Sequence, residues 1–276
     1  MNALNKTMET LIQANMTTSH SEPHICKHCG EEIPPMEIEL FGRKRMVQPA
    51  CECEAKLLKK KQEDAEKFQK RKDVEKLFSI HNLGERFKES SLETFIPRSG
   101  AEQVYKLAKL YVSEFDSWEE ESLIFWGVPG NGKSHLAAAI ANDLDSKGKI
   151  VVFISMPDLL EKIRGTFNKD SSESEEQIMK ALQICDLLII DDIGAEKVTE
   201  WVEEIIFRIV DGRYRKKKPI LATSNLQPKL LAGKIGIRSY DRLTEMSQPI
   251  ENKATSYRRE KAKQRMKRFV EQEDGK

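Results

Sequence analysis

The chain has 276 residues, 39% of them hydrophobic, enough for one substantial domain and a smaller accessory one. With 46 Lys and Arg against 45 Asp and Glu the net charge is +1, so no global field draws it to nucleic acid or membrane, and any such partner must be met by local patches. No run approaches the roughly 18 apolar residues of a membrane span, and the N-terminal residues lack the basic start and apolar middle of a secretory signal; a cytoplasmic protein without membrane contact is expected.

Residues 1–22 are rich in Asn, Thr, Ser and Met without a sustained apolar period, which predicts a mobile tail. Residues 23–54 form a cysteine module. Cys26-x-x-Cys29 and Cys51-x-Cys53 flank a segment with Gly30, Pro34, Pro35 and Gly42, suited to two tight turns carrying paired ligands. Thiols crowded in this way suit a metal in a reducing compartment better than a disulfide framework, and four thiolates fit tetrahedral Zn²⁺, with His24 and His28 as substitute ligands. So short a module has too little core to fold unaided, so the metal would supply much of its folding free energy. Met36, Ile38, Leu40, Phe41 and Val47 are either that core or a protein-binding face. The fifth cysteine, Cys185, stands in an apolar context and reads as a core residue.

Residues 55–79 carry nine Lys or Arg and five Asp or Glu over Ala55 to Phe78, with sparse apolar points and neither Gly nor Pro, which predicts a solvated connecting helix. From residue 80 to 265 short apolar runs alternate with amphipathic stretches, the pattern of an α/β domain built on a parallel sheet; residues 266–276 are left as a C-terminal tail. Buried strands are predicted at Leu123 to Trp126, Ile150 to Ile154, Leu187 to Ile190 and Ile220 to Thr223. Each ends in polar residues, which would place Ser155, Asp191, Asp192 and Asn225 along one edge, where ligands of open α/β sheets bind.

Gly127-Val128-Pro129-Gly130-Asn131-Gly132-Lys133-Ser134 is a glycine, four residues, then Gly-Lys-Ser, between a strand and a helix expected to begin near His135. The glycines allow backbone N–H groups to surround phosphates and the helix N-terminus favours an anion there. Gly127, Pro129 to His135 therefore form the expected ATP site, with Lys133 on the β and γ phosphates and Ser134 a Mg²⁺ ligand. Asp191 and Asp192, adjacent carboxylates at a buried strand end, need a nearby cation. Asp191 would hold Mg²⁺ and Asp192 would orient or deprotonate the attacking water, with Glu196 as a substitute base; an Asp in that place suits slow hydrolysis.

With Thr223-Ser224-Asn225 added to these motifs, residues 80–265 resemble the AAA+ ATPases of the DnaC/DnaI bacterial helicase-loader family, which share an ATPase superfamily with IstB-type proteins. The resemblance implies that Asn225 aligns the γ-phosphate and attacking water, that Arg238 (Arg242 second) is an arginine finger for a neighbouring subunit's ATP, and that Arg258 reaches the γ-phosphate from within the chain. It implies self-assembly through the ATPase domain and an extra helix within Met156 to Phe167 lining a path for single-stranded DNA. Lys162, Arg164 and Phe167 either contact that strand or belong to an ordinary amphipathic helix. The basic run from Tyr257 to Val270 is likewise open between a solvated helix and a nucleic-acid contact. Relatives of the DnaI kind carry a zinc module that contacts the hexameric replicative helicase. The expected function is thus ATP-dependent, Mg²⁺-dependent loading of that helicase in DNA replication, the alternatives being an IstB-type transposition helper and a nucleotide-gated adaptor with little hydrolysis.

Overall fold

The computed structural model describes residues 23–40, 42–78, 84, 87–118, 121–168 and 171–273, so the expected N-terminal tail and Phe41 lie outside the described residues. The chain divides into two compact units after Gln69.

The smaller unit consists of two antiparallel strand pairs and the start of a helix: β1 (His24–Ile25) with β2 (Glu32–Ile33), and β3 (Met36–Leu40) with β4 (Arg43–Val47), followed by α1 (Glu52–Leu77). Gly30 and Gly42, both at positive φ, make the tight turns that these pairs require. Among the described residues Cys26, Ile33 and Cys51 are buried together, with Cys53 packed against them. Met36 is exposed and Ile38 and Val47 are half-buried, so these three do not form the core of this unit. Helix α1 follows the expected charged pattern over residues 55–77 but begins at Glu52, taking in Cys53.

The larger unit is a three-layer α/β P-loop fold. Its elements are α2 (Glu102–Ser113), β5 (Ser122–Trp126), α3 (Lys133–Ser146), β6 (Val151–Ser155), α4 (Met156–Gly165), α5 (Glu175–Ile184), β7 (Leu187–Asp191), α6 (Glu200–Arg215), β8 (Ile220–Ser224), α7 (Pro228–Ile235), α8 (Ile237–Glu245), β9 (Ser247–Glu251) and α9 (Tyr257–Glu273). The five strands are all parallel, in the order β6-β7-β8-β5-β9. Alternating side chains divide the core: Ile124, Val152, Leu188, Ile190 and Ala222 face the layer with α4, α5 and α6, whereas Leu123, Phe125, Val151, Ile189 and Leu221 face α2 and α3. Hydrophobic strands buried on both faces are what a parallel sheet between two helical layers demands.

Four strands lie where apolar runs predict them. The fifth, β9, is missed because Ser-Gln-Pro-Ile-Glu has no strand pattern; its parallel register with Ser122 to Trp126 places it. The larger unit also begins earlier than residue 80, since Val74 and Phe78 at the end of α1 are buried in its core, Lys70 bonds Asp186 at 2.9 Å and Arg71 bonds Asp145 at 2.5 Å. At the other end α9 runs through the expected boundary at 265 as far as Glu273.

Helix starts follow local chemistry. Ser155 caps α4, Ser174 and Gln177 form a reciprocal box at α5, and Thr199 caps α6. Cys185 is buried as expected, and beside it lies a fully buried cation that composition does not announce. Arg213 donates to the carbonyls of Leu182 at 2.5 Å, Cys185 at 3.2 Å and Pro219 at 2.7 Å, tying α6 to the end of α5 and the start of β8.

Candidate nucleotide site and cysteine centre

At the carboxyl ends of β5, β7 and β8 the larger unit has a cavity of 630 Å³. Pro129 to His135, Asp191, Asp192, Asn225 and Arg258 all line it, so sequence-distant residues expected to act together do converge. Helix α3 starts at Lys133, two residues before the expected His135, because Gly132 at φ 103° turns the chain directly into the helix.

Lys133 is 5% exposed, and its ammonium lies 2.9 Å from Gly127 O, 3.1 Å from Val128 O, 3.2 Å from Asn131 Oδ1 and 3.0 Å from Asn225 Oδ1. Burial pulls its pKa down to about 8, opposed by Asp192 and Asp191, which favour the charged form. Gly127 has no room for a side chain, since a Cβ would sit 2.5 Å from Asn252 O. Asn252, absent from the sequence motifs, holds the loop reciprocally: Asn131 Nδ2 donates to Asn252 O at 2.6 Å and Asn252 Nδ2 to Asn131 O at 3.2 Å. Only the fold brings this pair, 121 residues apart, together.

Thr223 orders the acidic pair. Its hydroxyl donates to Asp191 Oδ1 at 2.6 Å and accepts from Asp192 N–H at 2.9 Å. Asp192 has φ 58°, a left-handed conformation uncommon outside glycine, and its carboxylate accepts from Asn225 Nδ2 at 2.5 Å. Burial raises the Asp192 pKa, the Asp191 carboxylate adds to it, and Lys133 and Arg258 counter it. Asn225 thereby bridges Lys133 and Asp192. Ser134 and Asp191 offer oxygen to the same cavity, the donor type Mg²⁺ takes. Glu196, the substitute base, instead accepts from Gly194 N–H and does not line the cavity; its pKa is raised by burial.

Arg258 stands in the first turn of α9, fixed where Tyr257 N–H donates to Gly130 O at 2.9 Å. Arg238 and Arg242 on α8 are not in the cavity of their own chain. Arg238 is exposed, its guanidinium 4.3 Å from the centre of the Phe207 ring; Arg242 is half-buried, with Nε 3.0 Å from Asp211. The helix expected within Met156 to Phe167 is α4, with Met156, Leu159, Leu160 and Ile163 buried. Lys162 pairs with Glu173 at 2.5 Å, Arg164 lies over the Trp201 ring at 4.7 Å, and exposed Phe167 meets that ring at 6.4 Å. Every α9 residue with a described side chain is exposed, from Tyr257 to Lys267 and at Phe269.

In the smaller unit the four cysteine sulfurs lie within 4.8 Å of one another, without His24 or His28 in the group. Neighbouring sulfurs are 3.3, 3.3, 3.4 and 3.6 Å apart. Four thiolates each about 2.3 Å from a tetrahedral Zn²⁺ would be about 3.8 Å apart, so the donor set fits that ion. The short Cys51-x-Cys53 spacing works because Cys53 falls in the first turn of α1, which swings its sulfur back beside Cys51.

A model of the family of IstB-like ATP binding proteins matches residues 61–265, about three quarters of the chain. This chain belongs to the IstB-like ATP-binding family. The matched span includes the phosphate loop, the acidic pair, Asn225, Arg238 and Arg258, and begins after the four cysteines. Among curated family relatives, the replicative helicase loader DnaC of Buchnera aphidicola subsp. Schizaphis graminum is 34% identical over 171 residues, 62% of this chain and 69% of the relative. The replicative helicase loader DnaC of Escherichia coli K12 is 40% identical over 136 residues, 49% of this chain and 55% of the relative. This chain therefore spans only part of the length of these relatives. A crystal structure of the DnaC helicase loader superposes with a TM-score of 0.56 at 24% identity, covering 62% of this chain and all of that one, which establishes the shared fold. Among the described residues no helix is long and apolar enough to cross a membrane.

Proposed function

We propose that this chain is a cytoplasmic, ATP-dependent loader of a hexameric replicative DNA helicase. The observation that carries the reading is the phosphate-loop residues Pro129 to Ser134, the acidic pair and Asn225 in one cavity, in a chain similar to relatives named replicative helicase loaders. Lys133 and the loop N–H groups bind the triphosphate, and Ser134 and Asp191 would hold Mg²⁺, which would supply charge neutralisation at the phosphoryl group. Asp192, oriented by Asn225, positions the attacking water. Arg258 contacts the γ-phosphate in cis, and Arg238 reaches the site of a second copy, which makes hydrolysis depend on assembly.

The four cysteines hold structural Zn²⁺, and the module they fold presents exposed Met36 and Met46 to the helicase. Single-stranded DNA meets the Arg164, Phe167 and Trp201 cluster and the basic face of α9, which together offer cations and stacking rings. One observation favours a second reading: the matched family model carries the name of the IstB-like proteins, and a transposition helper would use the same site.

Light scattering of the purified chain mixed with a bacterial hexameric replicative helicase, with and without ATP, separates these readings. A loader forms a stoichiometric complex, and its Lys133→Ala variant binds no nucleotide. An absent complex with DNA-stimulated ATPase retained would transfer the assignment to the transposition helper; nucleotide binding by Lys133→Ala would overturn the site itself.

A further inference from the structure

Beside the phosphate loop the cavity is walled by Phe87, Phe95 and Ile96, from a stretch between residues 87 and 98 that is neither helix nor strand. Phe95 stacks on Tyr105 with ring centres 5.5 Å apart and tilts over His135 at 5.5 Å; Phe87 meets the His135 ring edge-on at 6.2 Å. An aromatic wall of this kind suits the flat face of a heterocyclic base and offers nothing to a phosphate. Irregular backbone has no ladder to hold it, so its place depends on side chains that reach its polar groups.

Those side chains come from the C-terminal part of α3 and from Tyr105 on α2. Asn142 Nδ2 donates to the carbonyls of Phe87 at 3.0 Å, Lys88 at 3.2 Å and Ser90 at 2.7 Å. Asp143 accepts from Leu92 N–H at 3.2 Å, and Tyr105 donates its hydroxyl to Leu92 O at 2.8 Å. The same helix opens with Lys133 and Ser134 and carries His135 against both rings. Asn142 follows Lys133 by nine residues, about 13.5 Å along the helix axis. From this geometry we infer that Asn142 is a positioning residue for the base of the bound nucleotide. By holding the carbonyls of residues 87, 88 and 90 it fixes the aromatic wall at one distance from Lys133, so a single rigid helix gauges base and phosphate together. The inference rests on the nucleotide reading of the cavity and adds to it a determinant outside the phosphate loop.

Asn142 holds the wall through its side-chain amide, and an ionised carboxylate of the same shape would turn acceptors toward three carbonyl oxygens. Calorimetry on the full chain with Mg²⁺ compares ATP with inorganic tripolyphosphate, which has the phosphates and lacks the base. Asn142→Asp is expected to weaken ATP about tenfold, equivalent to about 1.4 kcal/mol, and to change tripolyphosphate less than about twofold. Asn142→Gln keeps the amide but displaces it by one methylene, should give the same ATP-selective loss in milder form, and serves if the Asp variant does not fold. Unchanged ATP affinity, or equal loss of both ligands, overturns the inference. Failure of the nucleotide reading is distinguishable, because the wild-type chain would then bind neither ligand, which overturns both.

Discussion

Lys133 carries two opposed pH dependences. Its folded pKa, about 8, lies below the ordinary 10.5, so between those values the unfolded chain binds more protons and rising pH stabilises the nucleotide-free protein. Below pH 8 the buried ammonium is a standing cost to the fold. A phosphate requires the ammonium, so ATP affinity should be flat up to about pH 8 and then fall by up to about tenfold per pH unit. Titration calorimetry and thermal melts should therefore change little between pH 7 and 8 and move in opposite directions from pH 8 to 9; a joint decline would point to unfolding and not to Lys133. The motif residues were legible in the sequence because their spacing is local: Gly127 to Ser134 and the Asp191-Asp192 pair each sit in one turn of chain. Thr223, Asn252 and Asn142 escape such reading as partners, for their hydrogen bonds span 32, 121 and 55 or fewer residues and exist only once the sheet is assembled.

At the scale of elements, α8 sets up a choice between two arginines. Arg242 is half-buried against Asp211 and the Phe207 and Tyr214 rings, whereas Arg238 is exposed on the Phe207 ring. Arg238→Ala is accordingly expected to leave nucleotide binding by the isolated chain intact and to lower assembly-stimulated hydrolysis by about a thousandfold. An unchanged stimulated rate would shift the role to Arg242. Four strands were legible because a strand buried on both faces is a continuous apolar run, whereas α4 was expected only from the family resemblance, although Met156, Leu159, Leu160 and Ile163 recur at helical spacing. Strand β9 was not, because its Pro and polar residues are acceptable only at the end of a sheet. The start of α3 was misjudged by two residues because a left-handed Gly132 acts as a cap that no side chain advertises.

At the scale of the whole molecule, the two units have cores of very different depth. The smaller rests on Cys26, Ile33 and Cys51, while each face of the larger sheet buries about 20 residues or more. Stripping metal with a chelator is expected to unfold residues 23–51 while ATP affinity changes less than about twofold, read by limited proteolysis alongside calorimetry. Retained protection of Cys26 to Cys51 after chelation would show that the module stands without a metal. The open end of the sheet has a further consequence. Met246 O accepts from Ser122 N–H and Asn252 N–H donates to Trp126 O, so the even-numbered residues of β9 bond to β5 and the backbone of Pro249 faces away from it. Proline has no N–H to offer there, and the outer rim of the sheet cannot recruit a strand from another molecule in a continuous ladder. Pro249 is thus, at this rim, a safeguard against unwanted strand pairing between molecules: Pro249→Val should leave ATP binding intact and make the protein precipitate at lower concentration.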